Sequence, residues 1–189
     1  MYLIIIIDYI IIHILYIHIT MNCRQNWSQL SEDELNKQIT REYQASLAYH
    51  IISNYFNRDD IGIHKLVEYF NKASLEEREH ANKLMEYQNL RGGVVQLGSI
   101  TPFQIELQKP NDIIEAFIIA LKMEKNINQH LLNLHKTATN EDDPQFCDYL
   151  ESEYLKEQVD SISDISKIIS VLERFNGDQH AIWNYIQNL

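Results

Sequence analysis

Glycine and proline are scarce in this chain, at five and three of 189 residues, and the prolines lie outside the long periodic stretches. This argues against a protein of short strands and tight turns and favours long helices. Cysteine is equally sparse. Cys23 and Cys147 make neither a CxxC pair nor a disulfide framework, so a reducing compartment is the expectation. Basic residues are outnumbered, 16 Lys and Arg against 27 Asp and Glu, for a net charge of −11. Nucleic-acid binding through a basic surface is therefore not expected. An acidic balance is compatible with attracting cations, but most acidic proteins are simply soluble. The length suffices for one domain with a full hydrophobic core.

Long apolar runs are confined to Tyr2–Thr20, YLIIIIDYIIIHILYIHIT. Such a run suggests a signal peptide or a membrane anchor. It has no basic residue before it and no small-x-small cleavage site after it, and Asp8, His13 and His18 interrupt it; a charge at membrane depth is costly. Ile, Tyr, His, Leu, Asp and Thr without Ala, Gly, Ser or Arg is also what translated AT-rich untranslated sequence gives. The reading adopted is an extension over residues 1–20, spurious or signal-like, ahead of one domain over 21–189, with Met21 as the start. A cytoplasmic location follows, or a secretory one if the segment is a genuine signal. No membrane association is expected.

From Met21 onward the pattern is all-α, with four long helical stretches and a short fifth. The first is expected from about Ser31 to Asn57, with Ser31 and Glu34 at capping-box spacing. The second runs from Ile63 to Leu90 and stops at Gly92-Gly93. The third follows Pro110, capped by Asn111 or Asp112, and reaches Thr139. The fourth starts at Asp143-Pro144 and reaches Phe175, and His180–Asn188 makes the fifth. Short links make the first and second, and the third and fourth, antiparallel neighbours. The link from Gly92 to Pro110 is long enough to cross the bundle, which lets the second and third helices run parallel.

Each helix carries an apolar seam followed in alternating steps of four and three. The first reads Leu35, Ile39, Glu42, Ser46, Tyr49, Ser53, Phe56; the second Leu66, Phe70, Ala73, Glu77, His80, Leu84, Tyr87. The third reads Ile113, Phe117, Ala120, Glu124, Ile127, Leu131, Leu134. The fourth reads Cys147, Glu151, Tyr154, Gln158, Ser161, Ile165, Ile168, Leu172, Phe175. Glu42, Glu77, His80, Glu124 and Gln158 thus sit among core-facing residues. A buried carboxylate is costly unless it is paired or binds a metal, and three in one core repel one another. A cation resolves both problems, and oxygen ligands with one imidazole suit iron or manganese. The competing reading is a drifting register that lets some of these acids reach water.

Glu77-x-x-His80 with a Glu on the first helix and a Glu on the third is the constellation of di-iron carboxylate bundles. The stretches REYQASLAYH, LEEREHANKLMEYQNLRGG, LKMEKNINQHLLNLHKTAT and DPQFCDYLESEYLKEQV closely resemble eukaryotic ferritin heavy chains, from about Gln25 to near the C-terminus. The resemblance implies a ferritin-like four-helix bundle with one long crossover and a short fifth helix. It implies ferroxidase activity, Fe(II) being oxidised by O2, with storage of the ferric mineral in a cage of 24 subunits, homopolymeric or mixed. By resemblance Glu42, Glu77 and His80 hold the first iron, Glu77 bridges, Glu124 holds the second, and Tyr49 and Gln158 lie beside the pair. Two irons per subunit are then substrate in transit, because Gln158 and Ser161 stand where a second Glu-x-x-His would make a permanent site. Asp148 and Glu151 match the acids of the three-fold channels. Glu76 and Glu79 match acids near the inner surface that help mineral nucleation, a third such acid being replaced by Asn82. AIWNYIQNL resembles the fifth helix at the four-fold axis and ends a few residues sooner. His64, His130 and His135 are read as surface or satisfied histidines, and Cys147 as a small buried residue beside the channel acids. A di-iron enzyme that keeps its metal, a shell subunit without oxidase activity and a plain helical binding module are the competing readings.

Overall fold

The structure, a computed structural model, describes residues 23–101, 103, 105–109 and 111–189. The expectations for residues 1–20 and for Met21 as the start lie outside these. The described residues form α1 (Gln29–Phe56), α2 (His64–Leu90), α3 (Asp112–Asn140), α4 (Pro144–Leu150), a π-helical turn (Glu151–Leu155), α5 (Lys156–Arg174) and α6 (Gln179–Gln187). No helix among them is long and apolar enough to cross a membrane.

Hydrogen bonds between helices fix the directions. Ser46 Oγ donates to Ser74 O at 2.7 Å and Ser53 Oγ to Val67 O at 2.9 Å, so rising numbers on α1 meet falling numbers on α2. Tyr49 meets Glu124 and Tyr55 meets Asp112, which makes α1 antiparallel to α3 as well. Hence α2 and α3 run parallel, as the long link predicts. The link itself lies along α1. Val94 N–H donates to Glu32 Oε1 (2.9 Å), Gln96 N–H to Asn36 Oδ1 (2.9 Å) and Gly98 N–H to Thr40 Oγ1 (3.0 Å). Two residues of extended chain cover about 6–7 Å, the same as four helical residues, so every second link amide finds a side chain one helical turn further on.

The glycine pair that ends α2 is required by contact. Gly92 has φ +73°, and a Cβ there would lie 2.8 Å from Arg24 N; one on Gly93 would lie 2.7 Å from both Trp27 Nε1 and Gln88 Oε1. Gly93→Ala is expected to destabilise the fold by about 1–3 kcal/mol, the usual cost of overpacking, seen as a lower urea midpoint at unchanged slope.

Two local expectations are corrected. The α1 cap is Ser28, whose Oγ accepts from Ser31 N–H at 3.0 Å, so Ser31 and Glu34 do not form the cap. Trp27 is buried edge-on against Tyr87 and Phe146 and fixes where the chain enters the helix. In the fourth helix, Phe146, Leu150, Tyr154 and Gln158 face the core, while Cys147 is half-buried and Glu151 exposed. The π turn holds an extra residue, so the seam there advances in steps of four and the alternating pattern fails.

The apolar core is in two halves. One packs Tyr49, Phe56, Phe70, Phe117 and Ile165; the other packs Leu35, Ile39, Leu84, Leu131 and Phe146. Between them, at the level of Glu42, Glu77 and Glu124, the bundle is polar.

Candidate metal centre

Each helix delivers one part of this polar layer by its seam position. Glu42 (1 % exposed), Glu77 (5 %), Glu124 (5 %) and Gln158 (7 %) are buried, and His80 is half-buried. Glu42, Glu77 and His80 each present a ligand atom, all within 4.8 Å of one another. His80 Nδ1 lies 3.4 Å from Glu77 Oε2, and its Nε2 lies 3.2 Å from Glu157 Oε1. Glu124 stands across from them. Its Oε1 accepts from the Tyr49 hydroxyl and its Oε2 from Gln158 Nε2 at 2.9 Å. On α1, Gln38 Nε2 donates to Glu42 Oε1 at 2.7 Å.

These groups are frustrated without a cation. Burial, then the neighbouring Glu77 carboxyl, holds Glu42 well above the ordinary carboxylate range. Burial, then Glu124, does the same to Glu77, and burial raises Glu124. Tyr49 is pushed well above the usual phenol range by burial and then by Glu124. Glu42 Oε2 is buried with no hydrogen-bond partner. An unsatisfied carboxylate oxygen converging with the Glu77 carboxylate and the His80 imidazole, with the Glu124 carboxyl beside Glu77, is a ligand set for a divalent cation of the iron or manganese type. The site lines a cavity of about 440 Å³, shared with Tyr154, Glu157, Ser161 and Glu76.

The other candidate residues lie elsewhere. Asp148 and Glu151 are exposed and share a surface depression with His135, Thr139 and Cys147. There His135 Nε2 and Glu151 Oε1 are 2.6 Å apart, so His135 is a satisfied histidine. Glu76 and Glu79 are exposed on α2, Glu76 lying 3.3 Å from Lys72 Nζ. Asn82 accepts from the Tyr43 hydroxyl at 3.3 Å. His64 is exposed and His130 half-buried. Sequence reasoning did not find Gln38 or Glu157. Gln38 could have been reached as the residue one turn before Glu42, and Glu157 as the neighbour of Gln158.

Residues 32–175 match the ferritin-like domain. The chain belongs to the ferritin family. Among its relatives, a chloroplastic ferritin of Malus baccata var. xiaojinensis is 44 % identical over 168 residues, covering 88 % of this chain and 67 % of that protein. The chloroplastic ferritin-1 of Nicotiana tabacum is 45 % identical over 172 residues, 90 % of this chain and 68 % of that one. A chloroplastic ferritin-2 of Glycine max is 43 % identical over 168 residues. The ferritin fold thus supplies the bundle, and the buried acids form its polar mid-layer.

Proposed function

We propose that this ferritin chain is an iron-storage subunit with ferroxidase activity. It oxidises Fe²⁺ with dioxygen at Glu42, Glu77, His80 and Glu124, with Tyr49 and Gln158 beside the site, and holds the ferric product in a multi-subunit cage of 24 chains. The unpartnered, buried Glu42 Oε2, converging with Glu77 and His80, carries this reading, because a cation would satisfy all three groups at once while a proton satisfies only one carboxylate. The chain brings two Fe²⁺ together, and its anionic oxygens favour Fe³⁺ over Fe²⁺. Each Fe²⁺ gives up one electron to dioxygen. The position beside Glu124 is the poorer site, since Gln158 and Ser161 on the fourth helix add neither a carboxylate nor an imidazole to it. Iron held there is weakly retained, as befits a substrate on its way to a store. The exposed acids Asp148 and Glu151 are proposed to draw Fe²⁺ into three-fold channels, and Glu76 and Glu79 to seed mineral.

Metal-free protein given Fe²⁺ in air is expected to oxidise it rapidly and to carry the iron in a large soluble particle on size exclusion. Iron retained only in stoichiometric amount, with no large particle, would instead indicate a di-iron redox enzyme. The relatives' chloroplast location makes a plastid-targeted precursor the competitor of a cytoplasmic start at Met21, and the mass of the native N-terminal peptide separates them.

A further inference from the structure

Three tyrosines line the cavity of the iron site, Tyr49, Tyr69 and Tyr154, and their surroundings differ. Tyr49 stacks on Phe70 (centroids 6.2 Å apart), which stacks on Phe56 (5.8 Å) and meets Phe117 (5.3 Å). Phenylalanine is not readily oxidised, and Tyr69, which meets Phe70 at 5.2 Å and Phe117 at 5.3 Å, is reached from Tyr49 through these rings only across a phenylalanine. Tyr154 lies on the other side, 5.7 Å from the His80 ring, with its hydroxyl donating to His80 O at 3.0 Å. Beyond it comes Tyr149 at 5.7 Å, and Tyr149 stacks on Tyr87 at 4.0 Å with 8° between the planes. Tyr154 and Tyr87 are buried, and Tyr149 is half-buried. Past Tyr87 stands Trp27 (5.7 Å), but the Arg91 guanidinium sits 4.7 Å over that indole. The same guanidinium lies 5.6 Å over the Tyr87 ring and donates to its hydroxyl at 2.6 Å. A cation on the face of a ring disfavours removing an electron from it, most at the nearer indole, so the path ends at the stacked tyrosine pair with the equivalent favoured on Tyr149.

We propose that Tyr154, Tyr149 and Tyr87 form a relay that carries one-electron oxidising equivalents from the iron site to a half-buried, repairable position. The proposal rests on the ferroxidase reading and adds to it a second oxidant, hydrogen peroxide, the two-electron reduction product of dioxygen. In the first step one Fe²⁺, one H₂O₂, one proton and the Tyr154 phenol give one Fe³⁺, the neutral Tyr154 phenoxyl and two waters. The O–O bond breaks, iron and phenol supply one electron each, and the phenolic proton ends in water. Tyr149 then returns a hydrogen atom to Tyr154, Tyr87 exchanges with Tyr149, and a thiol restores the pair by giving up its hydrogen atom. Both electrons are thus supplied inside the site, and no hydroxyl radical is released among Glu42, Glu77 and His80.

The test uses the full chain loaded with Fe²⁺ and given hydrogen peroxide, followed by electron paramagnetic resonance and peptide mass spectrometry. A tyrosyl signal and hydroxylated Tyr149 and Tyr87 are expected. Tyr154→Phe should lose both marks; Tyr149→Phe should keep a mark at Tyr154 and lose the one at Tyr87. The chain's two tryptophans report a diffusing oxidant, since Trp183 is 47 % exposed and Trp27 is 4 % exposed. Heavier marking of Trp183 than of the tyrosine pair, or unchanged marks in Tyr154→Phe, overturns the relay. Aerobic Fe²⁺ oxidation measured on the same proteins judges the ferroxidase reading separately, because the relay assay is started by added peroxide.

Discussion

Exchanging Glu77 for lysine and His80 for glycine is expected to slow aerobic Fe²⁺ oxidation by on the order of a hundredfold or more, beyond what loss of a supporting residue around a metal typically costs. The change removes two of the three groups whose ligand atoms converge within 4.8 Å. It also places an ammonium between Glu42 and Glu124, where a cation is wanted, so the bundle should stay folded. The glycine costs about 1 kcal/mol of helix propensity in α2, which a long helix packed on α1 tolerates. Stopped-flow absorbance of the ferric product, beside circular dichroism to show the fold intact, makes the comparison. Equal rates in parent and variant would sink the ferroxidase reading and leave at most a passive shell.

Glu42→Gln is expected to do the opposite to the metal-free fold, raising its stability by about 1–3 kcal/mol while abolishing rapid oxidation. Leaving a buried acceptor unsatisfied costs about that much, and a carboxylate near two others costs more than an amide. The amide has nearly the same volume and still accepts from Gln38. The gain depends on pH. A carboxyl whose pKa is raised by folding keeps a proton in the folded chain that the unfolded chain has released, so stability falls as pH climbs from the ordinary carboxylate value towards the raised one. Burial raises Glu42 in this way, and glutamine does not titrate. The variant's advantage should therefore be small in acid and grow towards neutrality. Urea unfolding of chelator-treated proteins across that range tests it; an advantage independent of pH would show that Glu42 is not the source of the strain. Such opposition between stability and activity is common at functional sites.

Much of this was legible in the sequence, for a physical reason. The polar layer interrupts seams that are otherwise apolar, and in α1, α2 and α3 the steps of four and three keep their phase. Glu42, Glu77 and Glu124 consequently appear in the core where the pattern puts them. The parallel run of α2 and α3 followed from the length of one link. The phase of the fourth helix was not legible, because a π turn has no compositional mark in Glu151–Leu155, whose residues suit an α-helix equally well. Cys147 and Glu151 were therefore placed in the core in place of Phe146 and Leu150. The cap at Ser28 was missed because Ser31 offers the same chemistry one turn later, and only the burial of Trp27 decides between them. The contacts that lay the link along α1, from Glu32, Asn36 and Thr40, depend on an extended segment matching a helix, which no local pattern announces.

The π turn has a further consequence. Each residue of an α-helix turns the chain by about 100°, so residues on the two sides of Glu151–Leu155 are indexed independently. The turn and the helix after it place Tyr154 and Gln158 at the candidate metal site, while the helix before it leaves Asp148 at the surface and Phe146 in the core. A single-residue deletion in the turn would restore a regular helix and force a choice, swinging either the acids or the residues of the candidate metal site by roughly a quarter turn. The irregular turn lets one continuous rod serve two differently oriented tasks, so this stretch should tolerate substitution far better than a change in length.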